Sequence, residues 1–539
     1  MNTARATKAN QTRDTTPLAR AIDVNVGELL RALLALPADR RLSLLDGGSG
    51  SMHAGWAGGR FLIAGFDPFE VIETRGALMH ISHRNDTAIH VQPEAALELL
   101  DARLHEFHHS QRHAQIAHVP FAGACIATFA YDYARRIKLL RNAFSTSPGA
   151  SLDDDAEPDA VLAFYDSLVI HDYARGTTHV TSTNGADRLE QICEVICEAL
   201  RSGRVKDSPQ NVIKEVPKVF SFDEVKEFPY ASIVVERTVS GKHNEENKFI
   251  NSHIATSNFT PDDYIEAVAR IKQHIAAGDI YQANLTQQFT VKITNQSFTP
   301  EHIFLQLRRD HPAAFAAFIR RADDVCISIS PERFLRVTHD DNTRRVEAWP
   351  IKGTRSRGKT IEEDTCLRRE LLTSEKDRAE NVMIVDLLRN DLGRVCEYGS
   401  IAVTELCALE EHPTLFHLVS KVRGSLRSGV TVGELLCAAF PCGSITGAPK
   451  IRAMQIIAET ETVRRGASMG AIGYFSFDGA MDLSVAIRTM TWRDNVARFN
   501  VGGGIVADSC PEVEYEESLT KARALLTALD AKISVNGKT

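Results

Sequence analysis

The amino-terminal part of the chain alternates short apolar runs with helical patterns. Residues 42–45, 161–164 and 168–171 are apolar runs of strand length bounded by polar positions, a pattern typical of buried strands. Between residues 94 and 108 the apolar side chains return at helical spacing, which predicts a helix with one buried face. This part of the chain is therefore predicted to mix strands and helices.

From residue 260 onward the helical patterns are longer and their ends are marked. One helix is predicted over residues 261–277, because Thr260 can act as its N-cap and Gly278 follows its end. Two further helices are predicted over residues 374–392 and 511–529. These segments provide the most distinct helix boundaries in the sequence.

Strands are predicted between these helices. Residues 280–293 alternate apolar and polar positions, as a strand with one buried face does. Residues 330–354 predict a hairpin that turns at 340–342, and residues 471–490 predict another with Asp478–Gly479 at its turn. The carboxy-terminal half is therefore predicted to contain antiparallel strands flanked by helices.

Changes of composition divide the chain into four segments. Residues 1–16 are polar and predict a disordered tail, and residues 17–201 form the first structured region. Residues 202–259 are charged and irregular, which predicts a linker or insertion, although residues 230–239 are compatible with one strand. Residues 260–530 carry the segments with candidate chemistry.

Charge and cysteine content narrow the functional class. A formal net charge of -8 provides no basic footprint for nucleic acid. No apolar run approaches the roughly 18 residues that a membrane helix needs, and no signal peptide is expected. The ten cysteines form no C-x-x-C pair, so reduced thiols are a better interpretation than zinc ligands. We expect a cytoplasmic protein that binds neither nucleic acid nor membrane.

The first candidate site is the glycine-rich turn "GSITGAPK" at residues 443–450. A proline opens a helix directly after the turn, so backbone N–H groups and the helix dipole can bind a carboxylate or phosphate. A tight turn before a capped helix explains the same residues without a ligand.

The second candidate is the triple glycine at Gly502, Gly503 and Gly504, after a predicted strand. Successive glycines let backbone amides approach a ligand closely, but no helix follows to make a dinucleotide site. Nearby Arg488 lies in an apolar strand pattern, where a guanidinium needs an anionic partner. That partner is either a substrate carboxylate or an internal glutamate.

The third candidate is a set of carboxylates on two predicted helices. Glu514, Glu517 and Lys521 share one face of the last helix, and Glu380 precedes an apolar run on the helix that begins at Ser374. Two glutamates from different helices are sufficient for magnesium, which keeps several waters. Solvated surface acids are the alternative.

Lys352, in "WPIKGTRSRG", is the fourth candidate. It lies between apolar neighbours and a glycine at the predicted end of a strand, where a neutral amine can act as a nucleophile. A lysine whose stem packs while its head reaches solvent is at least as compatible with the sequence.

These segments occur in one order along the chain. "GDIYQANLTQQF", "SPERF", "PIKGTRSRG", "DRAENVMIVDLLRNDLGRV", "FHLVSKVRG", "FPCGSITGAPKIRAMQII" and "GGGIVADSCPEVEYEESLTKARALL" resemble the chorismate-utilising enzymes over residues 261–529. Residues 17–201 resemble the variable amino-terminal half of the aminating members. The resemblance implies an α+β fold, with a large antiparallel β-sandwich core and outer helices.

Two positions separate the branches of this family. Water-adding members carry lysine where this chain has Gln282, and anthranilate synthases carry alanine where it has Lys352. A lysine at the second position is the mark of the aminodeoxychorismate branch. The resemblance then implies that Lys352 attacks C2 of chorismate, that the C4 hydroxyl leaves, and that ammonia displaces the lysine by attack at C4.

The resemblance also assigns roles to individual residues. Lys352 is the nucleophile, Glu332 a proton carrier, and His417 lies near the substrate ring. Magnesium is the expected cofactor. The residues expected to hold the substrate are Thr446, Gly447, Tyr474, Arg488, Gly502, Gly503, Gly504 and Lys521, and the expected magnesium ligands are Glu380, Glu517 and Glu514.

Three further inferences concern partners and rivals. No G-x-C-x-G motif of a glutaminase is present, so ammonia is expected from a separate glutamine amidotransferase subunit. Asp46 stands where a glutamate is common in the tryptophan-inhibited members, which leaves tryptophan control open. The rival functions are anthranilate synthase component I and a non-catalytic subunit that kept the fold.

Overall fold

The computed structural model describes residues 17–48, 60–84, 86–90, 95–111, 119–137, 157–203, 253–340, 343–412 and 415–534. The helices in these ranges are α1 (Val26–Leu34), α2 (Ala96–Gln111), α3 (Gly185–Gly203), α4 (Pro261–Ala276), α5 (Pro300–Asp310), α6 (Ile361–Thr373), α7 (Glu375–Gly393), α8 (Val432–Ala439), α9 (Lys450–Thr460) and α10 (Pro511–Ala528).

The strands of the first sequence region are β1 (Leu18–Ile22), β2 (Ser43–Asp46), β3 (Phe61–Gly65), β4 (Glu70–Arg75), β5 (Leu78–His83), β6 (Asp86–His90), β7 (Ala124–Phe129), β8 (Ala160–Tyr165), β9 (Ser167–Asp172) and β10 (Thr177–Ser182). Those of the second are β11 (His253–Ser257), β12 (Gln282–Lys292), β13 (Phe315–Arg320), β14 (Val325–Ser330), β15 (Arg333–Asp340), β16 (Thr343–Trp349), β17 (Ile351–Ser356), β18 (Ala402–Glu411), β19 (Leu415–Ser425), β20 (Gly447–Ala448), β21 (Ala471–Ser476), β22 (Met481–Val485), β23 (Thr489–Arg493), β24 (Val496–Ile505) and β25 (Ala531–Ile533).

The strands form two large sheets to which both sequence regions contribute. One sheet runs β1-β10-β9-β3-β2-β13-β14-β23-β24-β12-β11-β25, with β20 added to β12. The other runs β17-β19-β16-β15-β22-β21-β7-β8-β4-β5-β6, with β18 added to β19. The junctions between the regions are β2–β13 and β7–β21. Among the described strands, the pairings are antiparallel except for β11–β25, which confirms the predicted antiparallel β-sandwich.

Leu44 and Leu45 of β2 show that their sheet packs against other elements on both of its faces. Leu45 belongs to a cluster that joins both sheets and includes Phe315 and Ile126. Leu44, one residue earlier, packs on the opposite face with Leu33 of α1. Side chains alternate between the two faces of a strand, and here both faces are buried. The short strands therefore appear in the sequence as continuous apolar runs.

The described elements agree with most of the predicted ones. The helix predicted over residues 94–108 is α2, and α4 begins as predicted, with Thr260 and Asp263 in a reciprocal capping box. Both predicted hairpins are present, as β15–β16 and β21–β22. Within the predicted linker, β11 forms a strand, whereas residues 1–16 and 204–252 lie outside the described residues.

In the part of the chain that the structure describes, no helix combines the length and the apolar character needed to cross a membrane.

We predict that Asp482→Asn destabilises the protein by about 3–5 kcal/mol, because it leaves the buried Arg333 guanidinium without its ionic partner. Arg333 and Asp482 form a 3.0 Å ion pair, and their side chains are 1% and 0% exposed. Equilibrium urea unfolding, followed by circular dichroism, measures the change.

The control is Glu190→Gln, which breaks an ion pair with Arg20 at the surface, where the side chains are 47% and 52% exposed. Its unfolding midpoint should match that of the wild type. If Asp482→Asn and Glu190→Gln have the same urea midpoint, the buried Arg333–Asp482 pair does not stabilise the pairing of β15 with β22.

Candidate active site

Lys352 is the second residue of β17 and points its amine at the glycine-rich turn. The sequence pattern placed it at the end of a strand, but Pro350 separates β16 from β17, so Lys352 begins a new strand. Proline has no N–H to continue the ladder, which explains the break. The Nζ atom donates to the Ser444 carbonyl at 3.2 Å. The amine is thereby held beside the turn.

Glu332 is a buried carboxyl group next to this amine. It lies between β14 and β15, is 4% exposed, and its Oε1 atom has no hydrogen-bond partner among the described residues. Burial raises its pKa to about 7, although the Lys352 charge, the Ser444 hydroxyl and the Ile351 amide favour the ionised form. A carboxyl group that titrates near neutral pH can both accept and return a proton.

His417 lies on β19, where it pairs with Thr354 of β17, two residues after Lys352. Its Nδ1 atom is 2.9 Å from the Thr354 hydroxyl, and the side chain is buried. Burial lowers the pKa of His417 to about 3, with further contributions from His412 and from the charge of Arg488. The imidazole is therefore neutral at physiological pH, and its hydrogen bonds to Thr354 and to the Gly353 backbone hold the ring in place.

Arg488 does not lie inside a strand, as the apolar pattern suggested. It occupies the break between β22 and β23 with φ of 49°, a left-handed conformation that is uncommon for residues other than glycine. No ion pair to its guanidinium exists among the described residues, and burial lowers its pKa. A largely buried, unpaired guanidinium fits a carboxylate ligand, so the internal glutamate partner considered from the sequence is absent from these residues.

A cavity between the two sheets has Arg488 and His417 on its wall and reaches Phe315, Trp349 and Gly48. It places an unpaired cation and a neutral imidazole on the same apolar space. Such a mixture of apolar walls and few polar groups is typical of small-molecule sites.

The Asp46 carboxylate, near one end of this cavity, already has ionic and hydrogen-bond partners within the protein. Its carboxylate forms an ion pair with Arg308 and accepts a 2.7 Å hydrogen bond from the Tyr173 hydroxyl. It also accepts from the Gly48 amide at 3.0 Å. The negative charge at this position is thus neutralised within the fold.

The three charged residues of α10 converge on Gly503, as their helical spacing predicted. A Cβ at Gly503 would lie 3.1 Å from Glu514 Oε2, 3.7 Å from Glu517 Oε1 and 3.6 Å from Lys521 Nζ. Gly502, Gly503 and Gly504 lie within β24, paired with β12, rather than after a strand. Lys521 bonds Glu517 at 2.7 Å and the Gly502 carbonyl at 3.0 Å.

Glu380 on α7 completes the group of acids. Burial raises its pKa, while the charges of Lys352 and Lys376 oppose this shift. Among the described residues its carboxylate has neither a hydrogen bond nor an ion pair within contact distance. Glu517 is exposed on one side, and its pKa is lowered because Lys521, Lys376 and Lys352 favour its ionised form against the opposing effect of desolvation. The acids from α7 and α10 therefore share one electrostatic environment with Lys352.

These acids suit a hard divalent cation, although they do not yet form a closed cage. No group of three acidic, histidine or cysteine side chains is assembled for a metal in the described ranges. Glu514 is occupied by Lys376, at 3.2 Å, and by the Ser509 hydroxyl, at 2.6 Å. Glu380 is partly buried and has no partner among the described residues. This arrangement fits magnesium, which typically takes one or two carboxylates and completes its shell with water or substrate.

Thr446 and Gly447 pack directly against β12. Gly447 has φ of 141°, and a Cβ there would lie 2.1 Å from the Gln282 carbonyl oxygen, so a larger residue is excluded. The Thr446 hydroxyl donates to the Cys442 carbonyl at 2.8 Å. The turn then leads into α9 through Pro449, as the sequence predicted.

Tyr474 lies in the interior between the two sheets. It is buried in β21 with its ring 4.7 Å from that of Phe121, in the cluster between the sheets. It does not belong to the wall that carries Arg488. The described arrangement thus unites Lys352 and Glu332 with the acids of α7 and α10, and it places Tyr474 in the apolar interior.

Two residues of the site were not singled out from the sequence. Ser444 touches Lys352 through its carbonyl and influences Glu332 through its hydroxyl. Lys376 forms the ion pair with Glu514. It lies four residues before Glu380 and so on the same helical face, a signal from which it could have been predicted.

Comparison with known proteins identifies the family. Residues 59–527 match the family model described as chorismate binding enzyme. The chain is 34% identical over 481 residues to anthranilate synthase component 1 of Acetivibrio thermocellus, covering 89% of both chains. It is also 34% identical over 480 residues to aminodeoxychorismate synthase component 1 of Bacillus subtilis (strain 168), covering 88% of this chain and 90% of that one.

Solved structures agree with this result. The crystal structure of anthranilate synthase component I from Streptococcus pneumoniae TIGR4 has a TM-score of 0.66 and 28% identity, covering 87% of this chain and 92% of that chain. Two different reaction names occur among relatives of equal identity, so the comparisons establish a chorismate-utilising enzyme without selecting its product. The chain belongs to the chorismate binding enzyme family.

Proposed function

We propose that this enzyme aminates chorismate at C4 to give 4-amino-4-deoxychorismate, through a covalent intermediate on Lys352. The observation that carries the proposal is that the Lys352 amine and the Glu332 carboxyl group both contact Ser444. Burial raises the pKa of Glu332 to about 7, which suits a group that takes a proton from the amine and returns it. An amine that only formed a surface ion pair would not need this buried partner.

The substrate is held by groups of opposite character. The unpaired Arg488 guanidinium is suited to one carboxylate of chorismate, and the neutral His417 lies on the same cavity wall. The second carboxylate of chorismate is proposed to bind beside the acids of α10. The groups available to it there are Lys521 and the backbone of Gly502, Gly503 and Gly504. Thr446 and Gly447 form the neighbouring wall.

The first displacement uses Lys352 and Glu332 together. The Glu332 carboxylate takes a proton from the Lys352 ammonium, and the neutral amine attacks C2. The ring double bonds shift and the C4–oxygen bond breaks. Glu332 then returns its proton to the departing hydroxyl, which leaves as water.

The second displacement releases Lys352 from C2 and attaches nitrogen at C4. Ammonia attacks C4, the double bonds shift back, and the bond between C2 and the Lys352 nitrogen breaks. The proton lost by the new amino group returns to Lys352, so the enzyme is regenerated. The net reaction consumes chorismate and ammonia and releases 4-amino-4-deoxychorismate and water.

Magnesium is the proposed cofactor, held by Glu380 and Glu517 with Glu514 beside them. When bound, it supplies positive charge that neutralises a substrate carboxylate and favours departure of the hydroxyl group. Lys376 and Lys521 already balance part of the negative charge of these acids.

Ammonia is proposed to come from a separate glutamine amidotransferase subunit. Several relatives carry "component 1" in their names, which fits an enzyme with a second component. The sequence has no glutaminase motif of the G-x-C-x-G type. The proposed site of action is cytoplasmic and leads towards p-aminobenzoate and folate.

We predict that Lys352→Ala lowers the rate of 4-amino-4-deoxychorismate formation by orders of magnitude, because the first displacement is lost. The assay uses chorismate, ammonium salt and magnesium, with mass spectrometry of product and protein. Wild-type protein should carry a chorismate-derived adduct on Lys352. Residual turnover of the variant should give the C2-aminated product.

Lys359→Ala is the control for this substitution, because Lys359 is an exposed lysine of the same segment. It should retain wild-type activity. If Lys352→Ala still forms 4-amino-4-deoxychorismate at a comparable rate, the covalent mechanism is wrong.

The pH dependence should identify Glu332. Burial raises its pKa to about 7, and the proton transfer from Lys352 requires the ionised carboxylate. The value of kcat/KM for chorismate should therefore rise with pH through about 7, at constant free ammonia. Glu332→Gln should abolish this rise and lower kcat by about 10²–10⁴-fold. If kcat/KM of Glu332→Gln rises with pH at the same midpoint as in the wild type, the titrating group is not Glu332.

Glu380→Gln should abolish magnesium-dependent turnover, because a neutral amide is a much weaker ligand for a hard cation. The same variant should lose the increase in melting temperature that magnesium and chorismate give the wild type. Glu375→Gln is the matched control, since Glu375 is an exposed acid on the first turn of the same helix. Normal turnover by Glu380→Gln would contradict the ligand assignment.

A further inference from the structure

Helix α7 carries a buried amide side chain directly after Glu380. Asn381 is 0% exposed, and both ends of its amide group are bonded to β19. Its Nδ2 atom donates to the Leu418 carbonyl at 3.2 Å, and its Oδ1 atom accepts from the Ser420 hydroxyl. Two directional bonds from one side chain fix the position of α7 along the strand, which apolar packing alone does not do.

Ser420 extends this contact to two further segments. Its hydroxyl oxygen accepts from the Cys407 amide of β18 at 2.9 Å, and its own backbone amide donates to the Pro350 carbonyl, directly before β17, at 3.1 Å. Cys407 has φ of 51° and lies where the register between β18 and β19 shifts, as in a β-bulge. The Asn381–Ser420 junction therefore joins α7, β18, β19 and the start of β17.

Three of the joined elements carry a group of the proposed active site. Helix α7 carries Glu380, β19 carries His417 and β17 carries Lys352. Among the described residues Glu380 has no hydrogen bond or ion pair of its own, so the helix that carries it sets its position. The spacing of the three groups thus depends on how α7 docks against the sheet.

Another contact between α7 and β17 lies closer to the surface. Asp377 and Arg355 form an ion pair at 3.1 Å, with side chains 18% and 27% exposed. A partly exposed pair contributes about 0–1 kcal/mol, because solvent screens it. The buried Asn381–Ser420 junction is therefore the more restrictive of the two contacts.

We propose that Asn381 and Ser420 are positioning residues that set the place of Glu380 relative to Lys352 and His417. This inference rests on the proposed function, in which Glu380 holds magnesium while Lys352 attacks chorismate. Both side chains are engaged by the protein, so they act on the reaction only through the groups that they place. A displacement of about 1 Å between reacting groups is enough to lower a rate by about 100-fold.

Asn381→Leu tests the junction, because leucine keeps the approximate size of asparagine and removes both hydrogen bonds. The kcat for chorismate consumption should fall about 10-fold or more, while the KM for ammonia stays within about 3-fold of wild type. The magnesium concentration that gives half of the thermal stabilisation in the presence of chorismate should rise about 5-fold or more. This last measurement omits ammonia, so it reports binding rather than turnover.

Thr181→Val is the matched control, because it also removes a buried hydrogen bond. Thr181 lies on β10 of the other sheet, is 0% exposed, and its hydroxyl donates to the Ala122 carbonyl at 2.8 Å. The melting temperature of this variant should fall, as the loss of a buried hydrogen bond predicts, with kcat and the magnesium response unchanged. If Asn381→Leu shows this same pattern, its amide is only structural and the proposal is wrong.

Ser420→Ala applies the same test from the other side of the junction, and it serves alone if thermal melting shows that Asn381→Leu does not fold. Because the two side chains act as one unit, the double variant should lose at most about 2-fold more activity than the less active single variant. A folded Ser420→Ala protein whose kcat and magnesium response lie within about 2-fold of wild type would overturn the proposal.

The wild-type enzyme separates this proposal from the proposed function. A C2-aminated product would refute amination at C4, while chorismate consumption and the magnesium response of Asn381→Leu would still test the positioning. A wild-type enzyme that shows no response to magnesium would refute the metal role of Glu380 and overturn both.

Discussion

The balance of charge around Lys352 is the constraint on which the active site depends. The acids Glu332, Glu380 and Glu517 each respond to its charge. Several carboxylates brought together in a partly buried space repel one another and lose hydration. Lys376 and Lys521 offset this cost by pairing with Glu514 and Glu517. The lysines therefore allow the acids to converge before any cation or substrate is bound.

A second constraint holds the backbone that carries this cluster. The Arg465 guanidinium donates to the Ile445 carbonyl at 2.8 Å and to the Asn284 carbonyl at 2.6 Å, and it pairs with Glu461 at 2.7 Å. One buried side chain thus joins the glycine-rich turn to β12. Because the turn carries Ser444, whose carbonyl accepts from Lys352, Arg465 ties the segment that holds the nucleophile to β12.

Local sequence signals predicted most helices and hairpins, because caps, turns and periodicity depend on neighbouring residues. The Thr260 cap and the face shared by Glu514, Glu517 and Lys521 are examples. The prediction that Arg488 lies inside a strand was wrong. Its left-handed backbone conformation interrupts the chain between β22 and β23, whereas the apolar pattern of the sequence continues across this point. The sheet order could not be derived from local signals, since β2–β13 and β7–β21 join distant segments.

The family resemblance supplied the roles of the site residues, but it did not supply their state before substrate binds. Among the described residues, the structure adds a neutral His417, an Arg488 without an ionic partner, and oxygens of Glu332, Gln282 and Asn284 without donors. Each unsatisfied group costs folding free energy. A substrate that supplies partners to Glu332 and Arg488 can recover part of that cost. Binding energy is then available to orient the reacting groups rather than to rearrange the fold.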